Sequence, residues 1–274
     1  MQKPQKAFDE RKRKISLEKV TGWSILGLGA TALAASILYD SQILAFIGLG
    51  LVFWGIIIKY ITPEEYIKKT LLDTATLSSL RTLNEILQEL NYSSKAVYLP
   101  PKYLREIESN KIYIPRHENT KLPTPEQILQ EEHGIFMRNP EAIVMTPPSN
   151  ELTKLFEKTL NTSFAKVDLA YLEQKIPKLL VEDLEIAEDT KIEIESNIIR
   201  VRIENSVYKD ICKEIEKLSS IFRSLGCPIS SAIACSLAKA AGKPVIVSKQ
   251  QTSEDGKIIY IEYELLEEQE EKSG

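Results

Sequence analysis

VTGWSILGLGATALAASILYDSQILAFIGLGLVFWGIII, residues 20–58, is the stretch whose reading decides the architecture, because Asp40 is its one charge. Val20–Tyr39 gives twenty uncharged residues and Ser41–Ile58 eighteen more. Each run suits a membrane-crossing helix, since ~20 residues rising about 1.5 Å apiece cover roughly 30 Å of hydrocarbon. The turn at Tyr39-Asp40-Ser41-Gln42 is too short to hold a domain, so a transmembrane hairpin is expected over residues 20–61. Both chain termini then share one compartment.

Flanking cations choose that compartment. Arg11, Lys12, Arg13, Lys14 and Lys19 precede the hairpin and Lys59, Lys68 and Lys69 follow it, while the turn carries no cation. Cytoplasmic termini at a plasma membrane are the expectation. The basic N-terminus, residues 1–19, is also expected to meet anionic headgroups through Arg11, Lys12, Arg13 and Lys14, each contributing on the order of 1 kcal/mol. Gly22, Gly27, Gly29, Gly48, Gly50 and Gly55 allow close helix approach, within the hairpin or in a homo-oligomer. No ionisable residue lies in mid-span, which favours a tether over a transport path. A cleaved signal peptide ending near Ala32-Leu33-Ala34 is the alternative; the long basic leader and the second apolar run speak against it.

The remaining chain is acidic. Residues 1–61 hold eight Lys/Arg against four Asp/Glu, and the rest 27 against 35. Nucleic-acid binding needs clustered cations and is not expected. Three cysteines, Cys212, Cys227 and Cys235, form no CxxC pair and suit a reducing compartment. His117 and His133 lack ligand-spaced neighbours, so neither a metal nor a cofactor is expected. Phosphate-loop, GxSxG and HExxH signatures are absent, which lowers the expectation of an enzyme.

Along the soluble part, Thr62-Pro63-Glu64-Glu65 reads as a capping box opening a stalk helix over 62–91. Val97-Tyr98-Leu99-Pro100 and Ile112-Tyr113-Ile114-Pro115 read as short strands, and further strands are expected at 134–137 and 142–145. Together they make a small β-rich unit over 92–147. A C-terminal α+β domain follows over 148–266, with helices at 150–160 and 168–184. Ile192/Ile194 and Ile199/Val201/Ile203 alternate with charges around a Ser196-Asn197 turn, predicting an antiparallel hairpin. One helix is expected from Val207 to Leu225, a second from Pro228 to Gly242, then a final hairpin and an acidic tail at 267–274. The expected class is therefore a membrane α-helical hairpin plus a cytoplasmic α+β domain with an antiparallel sheet.

One residue could carry chemistry. Gly226-Cys227-Pro228 places Cys227 at a helix N-cap, where the helix dipole stabilises a thiolate. A thiol-based membrane enzyme or redox sensor follows if it is reactive, and a small structural cap if it is not. Ile199–Ser206, Gly226-Cys227-Pro228 and Ala240-Ala241-Gly242-Lys243-Pro244-Val245 with the closing hairpin resemble the C-terminal half of the 4-vinyl-reductase-type regulatory domain. That domain shares its fold with TRAPP tethering subunits. The resemblance implies an apolar small-ligand pocket between helices and sheet. It implies no zinc, because Thr252-Ser253 and Ile259-Tyr260-Ile261 stand where that family carries its cysteine pair. The whole arrangement is also similar to uncharacterised archaeal membrane proteins. The leading expectation is a non-enzymatic, membrane-tethered module that binds a small apolar ligand or a protein partner; an oligomeric scaffold is the third reading.

Overall fold

Apolar residues without interruption make helix the only backbone form that satisfies its own polar groups, and two helices form: α1 (Trp23–Leu38) and α2 (Gln42–Tyr60). In this computed structural model the described residues are 23–60, 69–104, 109–118, 120–130 and 135–267. Asp40 turns the chain at φ 45°, and Ser41 Oγ accepts the Leu44 amide at 3.4 Å to open α2. Glycine lines the seam between the helices. A Cβ on Gly29 would lie 2.7 Å from Val52 N, on Gly48 2.8 Å from Leu33 Cγ, and on Gly55 2.9 Å from Leu26 N. The large apolar side chains point away from the seam, with Phe46 80% and Ile37 83% exposed. A pair folded by water does the reverse.

By length and hydropathy, the described segment that could span a membrane is Ser219–Ala241, whereas α1 and Gln42–Ile58 are apolar but shorter. Ser219–Ala241 is 83% buried over its apolar window and is two helices broken at Gly226-Cys227. Its hydropathy is that of a protein core. The basic run at Arg11–Lys14, the Thr62 capping box, His133 and tail residues 268–274 lie outside the described residues.

A second compact unit starts at Lys69. It contains α3 (Lys69–Glu89), β1 (Val97–Tyr98), β2 (Ile112–Pro115), α4 (Pro125–Gln130), β3 (Phe136–Arg138), β4 (Glu141–Met145), α5 (Asn150–Thr159) and α6 (Leu169–Lys178). Then come β5 (Asp189–Glu195), β6 (Ile198–Glu204), α7 (Lys209–Glu216), α8 (Ser219–Leu225), α9 (Pro228–Ala241), β7 (Val245–Thr252) and β8 (Ile258–Leu265). The fold is α+β, with one eight-stranded sheet in the order β3-β4-β2-β1-β7-β8-β6-β5. Every neighbouring pair is antiparallel. The β-rich stretch 92–147 and the C-terminal stretch 148–266 meet in this sheet, where Val97 pairs with Ile246 and Tyr98 with Val245.

Alternation decides which face is covered. Ile199, Val201 and Ile203 of β6 and Ile259, Ile261 and Tyr263 of β8 are buried against the helices. α9 lies on that face, buried from Ile229 through Lys239. Its alanines and serines let it come close to the strands.

The single helix expected over 207–225 is instead α7 and α8, with Leu218 out of helical geometry between them. The cause lies in α3, which packs on both helices and whose buried residues are Leu80, Asn84 and Leu87. Buried Asn84 Oδ1 accepts the Ser220 and Ile221 amides, each at 3.1 Å, and so caps α8 from another helix. Asn84→Ala is expected to cost about 1–2 kcal/mol in denaturant unfolding. Asn84→Asp, which keeps the acceptor, should retain most of the stability; equal losses would refute the cap.

Candidate functional site

Cys227 occupies the N-cap of α9, where the sequence puts it. Around it the polar groups are closely bonded. Cys227 N donates to Gln250 Oε1 at 3.2 Å, and Ser230 Oγ donates to the Cys227 carbonyl at 2.8 Å. The Tyr98 hydroxyl lies 2.9 Å from the Leu225 carbonyl and 2.8 Å from Ser231 Oγ. The Tyr263 hydroxyl donates to the Ser230 carbonyl at 2.9 Å. These two rings fill the layer between helix and sheet where an apolar ligand pocket is implied by resemblance. The remaining hole beside Cys227 is about 10 Å³, the lower limit for one water.

Cys212 of α7 and Cys227 influence each other's ionisation, a coupling not visible from their spacing. Burial pushes the Cys227 thiol up, but interactions with Cys212, Ser230 and Gln250 outweigh it and hold it below the ordinary thiol value. Burial drives Cys212 well above that value and pushes Cys235 up to about 12. Cys227 is 0% exposed. Its environment eases ionisation, yet its side chain is buried among the described residues.

The face of β5, β6, β8 and β7 opposite α9 carries a shallow hollow of about 460 Å³. Its two arginines are committed. Arg200 lies 2.6 Å from Glu195 and 3.4 Å from Glu262, and Arg202 pairs with Glu204 and donates to the Tyr260 hydroxyl at 3.2 Å. Opposite charges opposite each other on a wet sheet stabilise the sheet.

A larger cleft of about 680 Å³ lies over β1, β2 and β7. Val97, Tyr113 and Ile246 form its floor, Tyr103 one wall, and Leu122 with Pro123 and Leu266 the other. Local sequence fixes the frame. Pro101 opens the 3-10 turn that presents Tyr103. Thr124 and Gln127 bond reciprocally, Thr124 N to Gln127 Oε1 at 2.9 Å and Gln127 N to Thr124 Oγ1 at 3.4 Å, starting α4 at the rim. Lys95, also at the rim, donates to the Ser248 carbonyl at 2.7 Å. Tyr113 is 1% exposed, and its hydroxyl has no partner among the described residues. Burial pushes its pKa up to about 12, so it remains a protonated donor at neutral pH.

A family model matches residues 4–264, from ahead of α1 to the end of β8. The chain belongs to the family described as Domain of unknown function (DUF7982). The DUF7982 match spans both the apolar helix pair and the α+β unit, so the two are features of one family. No curated protein and no solved structure matches the chain.

Within this DUF7982 chain, sequence reasoning reached Cys227 but not Tyr113, which it read only as a strand residue. Its signal was the repeated tyrosine in Val97-Tyr98-Leu99-Pro100 and Ile112-Tyr113-Ile114-Pro115. The two tyrosines end on opposite faces: Tyr98 belongs to the core beneath α9 and Tyr113 to the smaller cluster beneath the cleft. Among the described residues no three His, Cys, Asp or Glu side chains are grouped as metal ligands.

Proposed function

We propose that residues 20–61 insert into the plasma membrane as a two-helix hairpin, both termini cytoplasmic, and that the α+β unit binds a small apolar molecule at the membrane surface. The cleft over β1, β2 and β7 carries this reading. Its volume, about 680 Å³, falls in the roughly 300–1,000 Å³ range of small-molecule sites, and Val97, Tyr113, Ile246 and Leu266 in its lining supply apolar surface. Support for the tether comes from the glycine seam, the large apolar side chains facing outward, and the cations flanking residues 20–58. The Arg11–Lys14 run would add contact with anionic headgroups. A thiol-enzyme reading has less support, because Cys227 is sealed.

The full chain, expressed in its membranes, is expected to stay in the pellet through alkaline carbonate extraction. After detergent purification, small molecules released from it are identified by mass spectrometry and compared with those from Ile246→Trp, which fills the cleft. A compound enriched with the wild type and lost from the variant is expected. Release by carbonate would overturn the tether, and identical extracts would overturn the ligand site.

A further inference from the structure

We propose that the opening of α3 lies at the headgroup boundary of a phospholipid bilayer, with Leu71 and Leu72 entering the lipid; this rests on the tether reading and names the surface by which the α+β unit meets the membrane. Three observations lead there. First, the opening of α3 is scarcely covered. Its buried residues are Leu80, Asn84 and Leu87, none of residues 69–79 is buried, and Leu71 and Leu72 are 64% and 60% exposed. Water does not favour such an end, because helices in proteins owe most of their stability to a packed apolar face.

Second, this surface can leave water at little cost. Asp73 is the one ionisable residue between Lys69 and Arg81, and Lys69 Nζ pairs with it at 3.4 Å and with Asp210 of α7 at 2.6 Å. The hydroxyls of Thr74, Thr76 and Ser79 donate to the carbonyls of Thr70, Leu72 and Ala75 at 2.7, 2.9 and 3.3 Å. Those three hydroxyls keep a partner when water goes. The ion pairs can stay at headgroup level while the leucines enter.

Third, chain length names the occupant. α2 ends at Tyr60 and α3 opens at Lys69, so nine residue steps keep these two ends within about 30 Å of each other. With α2 in the bilayer, the opening of α3 is the part of the unit held nearest to lipid, and the tether makes their encounter intramolecular. Lys69 is already paired, so the contact is apolar rather than electrostatic and salt should leave it in place.

The test uses the full chain in phosphatidylcholine vesicles, with an environment-sensitive fluorophore on one introduced cysteine; Cys212, Cys227 and Cys235 are buried. Leu72→Cys reports the proposed contact. Tyr260→Cys, 47% exposed on the open sheet face, is the reference, and Phe46→Cys, on α2, reports the tether. A nitroxide just below the lipid headgroup is expected to quench the Leu72 label at least about twofold more than the Tyr260 label, at low salt and at about 0.5 M alike. A nitroxide deeper on the acyl chain should quench the Phe46 label more than the Leu72 label. Equal quenching of the Leu72 and Tyr260 labels, or quenching lost in salt, would overturn the membrane seat, while a quenched Phe46 label keeps the tether. A blue-shifted Leu72 label that no lipid nitroxide quenches would give this face to a second copy of the chain and overturn the seat likewise. If no lipid nitroxide quenches the Phe46 label, the tether reading itself falls.

Discussion

Lys239→Ala is expected to cost the α+β unit about 3–5 kcal/mol, the usual loss when one partner of a buried ion pair is removed. Lys239 lies in the last turn of α9, its side chain 1% exposed, with Nζ 3.0 Å from Glu157 Oε2. Glu157 is itself 14% exposed, and its Oε1 accepts the Phe164 amide at 2.8 Å. Truncating Lys239 strands the other oxygen and empties the space of four methylenes. Its place in the last turn of α9 adds a favourable helix-dipole contribution that is also lost. Replacing both charges, Glu157→Gln with Lys239→Met, should recover most of the stability, because volume is kept and no charge is left buried. Chemical unfolding of the full chain measures both. A loss below about 1 kcal/mol in Lys239→Ala, the range of exposed pairs, would show that the pair is solvated.

Gly226→Ala is expected to cost about 3 kcal/mol, from backbone strain and steric conflict together. Gly226 sits at φ 70°, ψ −160°, a region essentially confined to glycine. A Cβ there would lie 2.5 Å from both Gln250 Oε1 and Ser230 Oγ. Gln250 would have to release the Cys227 amide, loosening the start of α9 from β7. Adding Gln250→Ala to Gly226→Ala should remove Gln250's part of the steric share and leave the Ser230 contact and the backbone share, so the two losses are sub-additive. Strict additivity would place the cost elsewhere.

Local pattern made much of the fold readable. The alternation in 192–203 fixed the β5–β6 hairpin with its Ser196-Asn197 turn, and Pro228 to Gly242 bounded α9. What depended on distant partners was not readable. The apolar stripe of 207–225 is continuous, and only Asn84, from α3, shows why it breaks at Leu218. The expected helix–sheet pocket was implied by the family resemblance, in a region where α9 is built of small residues. Those same residues let the helix approach, and Tyr98 and Tyr263 occupy the space. The cleft is made by strands that sequence separates widely, Val97 beside Ile246, so its position could not be read from either segment.

The β1–β7 pairing joins residues roughly 150 positions apart through a strand only two residues long. β1, β2, β4 and β3 therefore emerge from the ribosome well before their sheet partner is synthesised. The domain cannot assemble piecewise during translation; it must wait for its last thirty or so residues, and chains cut before Val245 should expose an open sheet edge and be prone to aggregate. α1 and α2, complete by Tyr60, are spared that delay, so the order of synthesis puts the apolar pair in place first and the α+β unit last.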